Sequence, residues 1–441
     1  MLAQLIGRFR GEGPGATLGR GAAGVLAARS LGLLLMFGVQ VLLARIMGAD
    51  NYGVYAYVLA WAGLMLLVGK MGMDTTIVRY AAAYNAAGEW GALRGILRRS
   101  DHIALLVSVG VAAVAAAVVW TLRGRMGPEL AFTFWVALAV FPAMPLAALR
   151  QASLRGLGHP VAGNVIEWLM RPTILGLLAI ASFLWISGEL DGPAAMALNG
   201  VSYAAALLVG SRLLQRHTPR AVADAPSEYR SAEWLGMALP VLLLAGMSLV
   251  LYQTDVLMLG VAIGTREAGI YTVASRTASI IAFGLTASNE ALGPMISALH
   301  SSGRREELQR LLTLTARAVL AFSLPAGLAL MLAGRYVLGA FGSEFALGYW
   351  ALALLIAGQL VNALMGPVGL LLMMTGNQAT AARVMTGCAI LNVALNAALI
   401  PRFGLIGAAA ATAGTMALWN ALMLAVVLRR LGLNPTAVGS G

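Results

Sequence analysis

The stretch that decides the fold is MGADNYGVYAYV, residues 47–58, because it recurs half a chain later as IGTREAGIYTVA, residues 263–274. Three positions match at a displacement of 216 residues: Gly48 with Gly264, Gly53 with Gly269, and Tyr55 with Tyr271. Glycine and asparagine are typical of turns, so each copy predicts a short turn between two longer elements. A turn repeated at this distance indicates an internal duplication.

Apolar residues dominate the chain on both sides of these turns. Of 441 residues, 60% are hydrophobic and 11% are charged, and the mean hydropathy is +0.82. Soluble domains carry roughly a quarter charged residues, whereas a helix needs about 20 apolar residues to cross a bilayer. We predict twelve membrane-spanning helices, at residues 24–46, 52–73, 102–122, 130–153, 160–186, 192–214, 235–260, 268–292, 311–333, 345–374, 380–400 and 404–428.

The arginines are distributed unevenly over the segments between these helices. Nineteen lie on the side of the N-terminus, and six lie on the other: Arg45, Arg123, Arg125, Arg266, Arg335 and Arg402. The positive-inside rule therefore predicts a multi-pass protein of the cytoplasmic (inner) membrane with both termini cytoplasmic. The first apolar segment is too long for a secretory signal, so we expect it to be retained. The net charge of +12 then reflects topology and contact with membrane lipids, and we expect no nucleic-acid partner.

The duplication extends through most of the chain. Further pairs follow in order at similar displacements: Asp74 and Glu290, Gly88 and Gly303, Gly158 and Gly376, and Gly192 and Gly407. We predict an all-α integral membrane protein with two six-helix lobes, residues 1–214 and 234–441, joined by a polar cytoplasmic linker at 215–233. Because six is even, both lobes enter from the same membrane face, which makes this a parallel repeat.

The repeated turn itself is expected to shape the backbone without taking part in chemistry. Asp50 or Asn51 can cap the helix that follows, and Gly48 and Gly53 allow a tight backbone.

Several functional classes lack their usual sequence signals. Cys388 is the single cysteine, and the four histidines are scattered, so a zinc site is not expected. The one lysine, Lys70, is followed by Met71, so no phosphate-binding GxxxxGK[ST] loop can be written. We expect no cofactor and no direct use of ATP.

Three runs of residues carry a resemblance to a known family: LLARIMGADNYGVYAYV, MGMDTTIVRYAA and YQTDVLMLGVAIGTREAGIYTVASR. In these runs, and in the number and order of its predicted helices, the chain resembles the Wzx-type oligosaccharide flippases of the MOP (MATE-like) superfamily. The resemblance implies a V-shaped transporter whose two lobes surround a central cavity. It also implies export of an undecaprenyl-pyrophosphate-linked oligosaccharide, such as an O-antigen or exopolysaccharide repeat unit. The related MurJ-type lipid II flippases usually have fourteen helices, which disfavours lipid II as cargo.

Polar residues inside predicted helices are the candidates for transport, because charge is costly there. Arg29 and Gln40 share one helix face, and Arg276 lies in the eighth helix, so these three are candidates for binding an anionic headgroup. Arg29 also lies close enough to a helix end to reach the interface. Asp255 is placed to form an ion pair with Arg276, and Tyr252 to bind either a sugar or Asp255.

Other charged positions suggest coupling or gating. Asp255 and Glu290 are candidates for binding a coupling H⁺ or Na⁺, with the membrane potential as an alternative energy source. Candidates for an inner gate, or for a solvated helix end, are Lys70, Asp74 and Arg79. Glu167 and Arg171 have the spacing of a pair within one helix.

Three other functions compete with flipping. A cation-coupled drug antiporter shares the superfamily architecture, but it predicts acidic cavity residues where this chain offers arginines. A membrane-embedded polysaccharide assembly enzyme would need a metal-binding Asp-x-Asp pair and a large extramembrane domain, and the sequence has neither. A scaffold that binds a polysaccharide polymerase or chain-length protein without transport stays open, and those proteins are also possible partners of a flippase.

Overall fold

A computed structural model describes residues 14–185 and 190–439, with side chains from residue 24 onward except at 26, 244, 248, 250–252, 287, 290 and 291. All regular secondary structure in the described residues is helical. The α-helices are α1 Pro14–Lys70, α2 Met73–Ala87, α3 Trp90–Leu122, α4 Pro128–Val140, α5 Ala143–Gly156, α6 Pro160–Val165, α7 Arg171–Trp185, α8 Gly192–His217, α9 Arg220–Asp224, α10 Ser231–Ala262, α11 Thr265–Ser301, α12 Arg305–Gly339, α13 Tyr349–Met365, α14 Val368–Met374 and α15 Gln378–Leu431. A π-helical turn, Ile166–Met170, joins α6 to α7, and a 3-10 helix, Ser343–Gly348, precedes α13.

The lengths and apolar composition of these helices make this a multi-pass membrane protein. Within the described ranges, eight helices are long and apolar enough to cross a bilayer, and the bent pair α4–α5 would add a ninth. Helices α1 and α15, of 57 and 54 residues, are each long enough for two crossings and break at a glycine, Gly48 or Gly404. The all-α membrane fold is therefore confirmed, while the count of twelve crossings stays a prediction.

The chain forms two compact units. Unit 1 comprises the chain up to Met47 together with Trp61–Gly246, and unit 2 comprises Gly48–Ala60 together with Met247–Gly441. The first copy of the repeated turn thus packs with the second half of the chain. The predicted lobe 1–214 includes residues 48–60, which the structure places in unit 2. In other respects the predicted lobes, 1–214 and 234–441, stay a prediction.

The predicted linker packs against the start of α3 in unit 1. The Arg94 guanidinium donates to the Ala225 carbonyl at 2.5 Å, and the Glu228 amide donates to the Gly91 carbonyl at 3.0 Å. Val222 of α9 is buried in the same core as Trp234, so this polar stretch is anchored to unit 1 both within α9 and just after it.

Two of the glycine pairs that suggested a duplication have matching backbone conformations. Gly88 and Gly303 have φ of 71° and 70°, and Gly158 and Gly376 have φ of 86° and 78°. All four lie in the left-handed region, where glycine is the favoured residue. The repeat of the two lobes itself stays a prediction.

Candidate functional site

The two copies of the repeated turn contact each other inside unit 2. A Cβ added to Gly53 would lie 2.3 Å from the Thr265 carbonyl oxygen, and one added to Gly269 would lie 2.6 Å from the Cα of Gly53. Real Cβ atoms do not approach backbone so closely. The matched glycines therefore permit a close helix contact, which is a role beyond the tight turn predicted from sequence.

Charged side chains hold this contact at its edge. The Arg266 guanidinium donates to the Glu344 carboxylate at 2.7 Å and lies 3.6 Å from the Asp50 carboxylate. The other Glu344 oxygen accepts the backbone N–H of Ala49 at 3.2 Å. Asp50 thus contacts an arginine from the second copy of the turn.

A buried polar network begins at the second copy of the turn. The Tyr271 hydroxyl donates to one Asp255 carboxylate oxygen at 2.5 Å, and the Thr412 hydroxyl donates to the same oxygen. The amide of Asn396 donates to the other oxygen at 2.7 Å. Asp255 is only 2% exposed, so these neutral donors replace nearly all of its contact with water.

Further side chains extend the network along α15. The Asn396 amide also donates to the Asn392 carbonyl oxygen at 3.0 Å, and the Asn392 amide donates to the Thr415 hydroxyl at 3.1 Å. The Asn396 side-chain oxygen is buried and has no hydrogen-bond partner among the described atoms. Carboxylate, amide and hydroxyl oxygens are the ligands that hard cations prefer, so the network has the chemistry to hold a cation or a proton on Asp255.

The expected ion pair between Asp255 and Arg276 is wrong. The Asp255 carboxylate is occupied by hydroxyl and amide donors, and no ion pair of Arg276 occurs among the described residues. Arg276 is half-buried in α11, within electrostatic reach of the Tyr52 hydroxyl. The side chains of Tyr252 and Glu290 lie outside the described residues.

The two candidates in α1 lie in unit 1. The Arg29 Nε donates to the Asn164 side-chain oxygen at 3.0 Å, which ties α1 to α6. Gln40 is 5% exposed, and Val39 next to it packs against Gly176 in α7. The structure therefore places Arg29 on the side of α1 that faces α6, and Gln40 is buried next to the Val39 contact with α7.

The inner-gate candidates lie around a break between α1 and α2. Lys70 and Asp74 form an ion pair at 2.7 Å, each about a quarter exposed. Arg79 is exposed on α2, 3.8 Å from the Met237 sulfur and 6.0 Å from the centre of the Tyr80 ring. The first two residues thus meet each other, while the third has a separate environment.

The expected pairing of Glu167 with Arg171 is also wrong. Glu167 instead lies 3.6 Å from Arg155. The cause is the π-helical turn between the two residues, Ile166–Met170. Its hydrogen bonds run from each residue to the fifth one along, so residues four apart are no longer stacked as they are in an α-helix.

Tyr271, Asn396 and Thr412 are the site residues that the sequence analysis missed. Asn392 and Asn396 are four residues apart in an apolar segment and are both fully buried. Buried amides in membrane helices need polar partners, and this spacing was the signal that could have identified them. No cluster of three or more His, Cys, Asp or Glu suited to a metal occurs among the described residues.

Solved structures with this arrangement of helices are membrane transporters. An inward-facing MATE family transporter of the MOP superfamily superposes with a TM-score of 0.77 at 14% identity, over 93% of this chain and 98% of that one. The lipid II flippase MurJ, in an inward closed conformation, gives 0.68 at 13% identity, over 91% and 87%. The chain therefore shares the fold of these two transporters.

Sequence comparison identifies the family. Residues 18–300 match the model of the polysaccharide biosynthesis protein family, and the chain belongs to that family. It is also 23% identical over 401 residues to a probable low-salt glycan biosynthesis flippase, Agl15, of Haloferax volcanii, which covers 90% of this chain and 80% of the relative.

Proposed function

We propose that this protein is a flippase that moves an undecaprenyl-pyrophosphate-linked oligosaccharide across the cytoplasmic membrane by alternating access. The observation that carries the proposal is Arg276, a half-buried arginine in a membrane-spanning helix with no ion-pair partner among the described side chains. An unpaired guanidinium suits a pyrophosphate group, which it can bind through two parallel hydrogen bonds. The same site offers no advantage to a cationic drug.

Family membership and the named functions of two similar proteins support this cargo class. The relative from Haloferax volcanii is named a probable glycan biosynthesis flippase, and MurJ is named a lipid II flippase. A chain of the polysaccharide biosynthesis family with the same fold fits a lipid-linked glycan. We further propose that both termini are cytoplasmic, since the arginine bias favours that orientation.

Two energy sources fit the structure. A membrane potential that is negative inside favours outward movement of an anion by about 2.3 kcal/mol per charge per 100 mV. In addition, the network around Asp255 is proposed to bind H⁺ or Na⁺ as a coupling ion. The buried carboxylate lacks a cationic side-chain partner among the described residues, and the Asn396 oxygen beside it is unused.

Headgroup translocation in proteoliposomes tests the proposal. A fluorescent undecaprenyl-pyrophosphate oligosaccharide is followed between leaflets for the wild type, Arg276→Gln and Arg29→Gln. We expect transport by the wild type and at least a tenfold loss in Arg276→Gln, since one charge-assisted contact is worth about 1.5–3 kcal/mol. Arg335→Gln, which replaces a different arginine in α12, serves as the matched control. Unchanged transport in Arg276→Gln refutes the role of this residue.

A cation-coupled antiporter is the second candidate, and Asp255 is the observation that favours it. A buried acidic residue in a membrane helix is suited to exchange of a cation. The same liposomes, loaded with a cationic dye and given an H⁺ or Na⁺ gradient, distinguish the two functions. Dye exchange without movement of the lipid-linked glycan would establish the antiporter.

A further inference from the structure

Arg171, in the membrane-spanning part of unit 1, carries a charge that no described carboxylate neutralises. Glu167, its expected partner, pairs with Arg155. The remaining contacts of Arg171 are neutral: the Asn199 side-chain oxygen lies 3.5 Å from Nη1, and the centre of the Tyr203 ring lies 4.5 Å from the guanidinium carbon. A charge inside a membrane helix without a counter-charge marks a functional position.

Asn199 supplies the second unsatisfied group at this place. The residue is 1% exposed, and its side-chain nitrogen has no hydrogen-bond partner among the described atoms. Buried donors almost always have a partner, so an exception calls for an explanation such as a bound water, an ion or a ligand. Because the Asn199 amide oxygen already faces Arg171, the side-chain groups of both residues that can still bind a ligand are hydrogen-bond donors only.

The backbone holds Arg171 in place. It directly follows the π-helical turn, and its own N–H donates to the carbonyl of Ile166, five residues earlier. The turn is packed tightly: a Cβ on Gly32 of α1 would lie 2.6 Å from both the carbonyl oxygen and the Cβ of Trp168. Single π-turns inside α-helices are frequent at functional sites, and this one separates Arg171 from its expected partner Glu167.

We propose that Arg171 and Asn199 form an oxyanion-binding site in unit 1. A planar guanidinium with an adjacent amide nitrogen matches a phosphate or carboxylate group, which accepts several parallel hydrogen bonds. The ring of Tyr203 covers one side of the guanidinium and directs its edge to the ligand. The assignment of the source rests on the proposed function: the oxyanion is either the pyrophosphate of the lipid headgroup or the carboxylate of an acidic sugar in the glycan.

Ligand-dependent thermal stabilisation of the full-length protein in nanodiscs tests the site. The probes are inorganic pyrophosphate, glucuronate and, as a neutral control, glucose. A ligand that binds only the folded state raises the unfolding temperature in proportion to its saturation. We expect pyrophosphate or glucuronate to stabilise the wild type and glucose to have no effect. Stabilisation by pyrophosphate alone identifies the headgroup as the source, and stabilisation by glucuronate alone identifies the glycan.

Two variants and one matched control make the result specific. Arg171→Gln removes the charge, whereas Asn199→Asp keeps the shape and supplies an internal carboxylate that competes for Arg171. We expect both to raise the ligand dissociation constant at least tenfold, while Arg155→Gln, a change to the ion-paired arginine nearby, leaves it unchanged. No stabilisation of the wild type by either anion, or a dissociation constant in both variants equal to that of the wild type, overturns the proposal.

The oxyanion-binding site and the proposed flippase function can be refuted independently of each other. If the wild type moves no lipid-linked oligosaccharide but anion binding depends on Arg171, the flippase proposal fails and the site stands. If transport occurs and anion affinity is the same in Arg171→Gln, the flippase proposal stands and this site is wrong.

Discussion

Substitution of Gly53 by alanine tests whether the repeated turn exists for close packing. The new Cβ would lie 2.3 Å from the Thr265 carbonyl oxygen and 2.9 Å from the Cα of Arg266. Both are backbone atoms and cannot rotate away, so the two segments must separate by about 1 Å, which sacrifices a quarter to a half of the dispersion energy across the contact. Overpacking of this kind costs about 1–3 kcal/mol, against a gain of about 1 kcal/mol in helix propensity.

The net expectation is a loss of up to about 2 kcal/mol in unfolding free energy, seen as a lower unfolding temperature in detergent or nanodiscs. Gly38→Ala is the control, because a Cβ there has nothing within 4 Å. It should raise stability by about 0.5–1 kcal/mol. If both variants shift the unfolding temperature in the same direction and by the same amount, the close-contact argument is refuted.

Three other substitutions probe the remaining polar contacts. Asp255→Asn should reduce the dependence of transport on an H⁺ or Na⁺ gradient about tenfold, within the usual range of coupling energies; an unchanged dependence in proteoliposomes would remove Asp255 from coupling. Asp101→Asn should lower stability by about 1–3 kcal/mol, because it weakens two hydrogen bonds of 2.7 and 2.8 Å to the partly buried Arg150; thermal unfolding equal to wild type would contradict this. Arg317→Gln should speed hydrogen exchange in the C-terminal segment, since Arg317 donates to the carbonyls of Ala437 and Gly439 at 3.1 and 3.0 Å; wild-type exchange rates would show that other contacts hold the segment.

Composition and glycine placement were enough to predict the membrane fold. A helix in a bilayer must satisfy its own backbone hydrogen bonds and expose apolar side chains, so hydropathy along the chain reports it directly. The turn at Gly48 was also predictable from the sequence, because glycine readily adopts a positive φ such as the 71° found there.

Partners of the polar side chains were not predictable in the same way. Hydropathy does not specify which helices touch, so nothing in the sequence indicated that Asp255 would meet Tyr271 and Thr412 instead of Arg276. The pairing of Glu167 failed for a different reason. The expected spacing assumed a regular α-helix, and no residue type marks the extra residue of a π-helical turn in the sequence.

The exchange of residues 48–60 into unit 2 has a consequence for how the protein is made. Tyr52 and Tyr55 in this segment are fully buried, yet Thr265, which meets Gly53, is synthesised about 200 residues later. At roughly 5–20 residues per second, this corresponds to a delay of about 10–40 s. During that interval the first hairpin has emerged without its packing partner, so unit 2 is completed only when the second half of the chain arrives. A fragment ending at the linker would leave these tyrosines uncovered, and separately expressed halves would therefore have to exchange this segment in order to assemble.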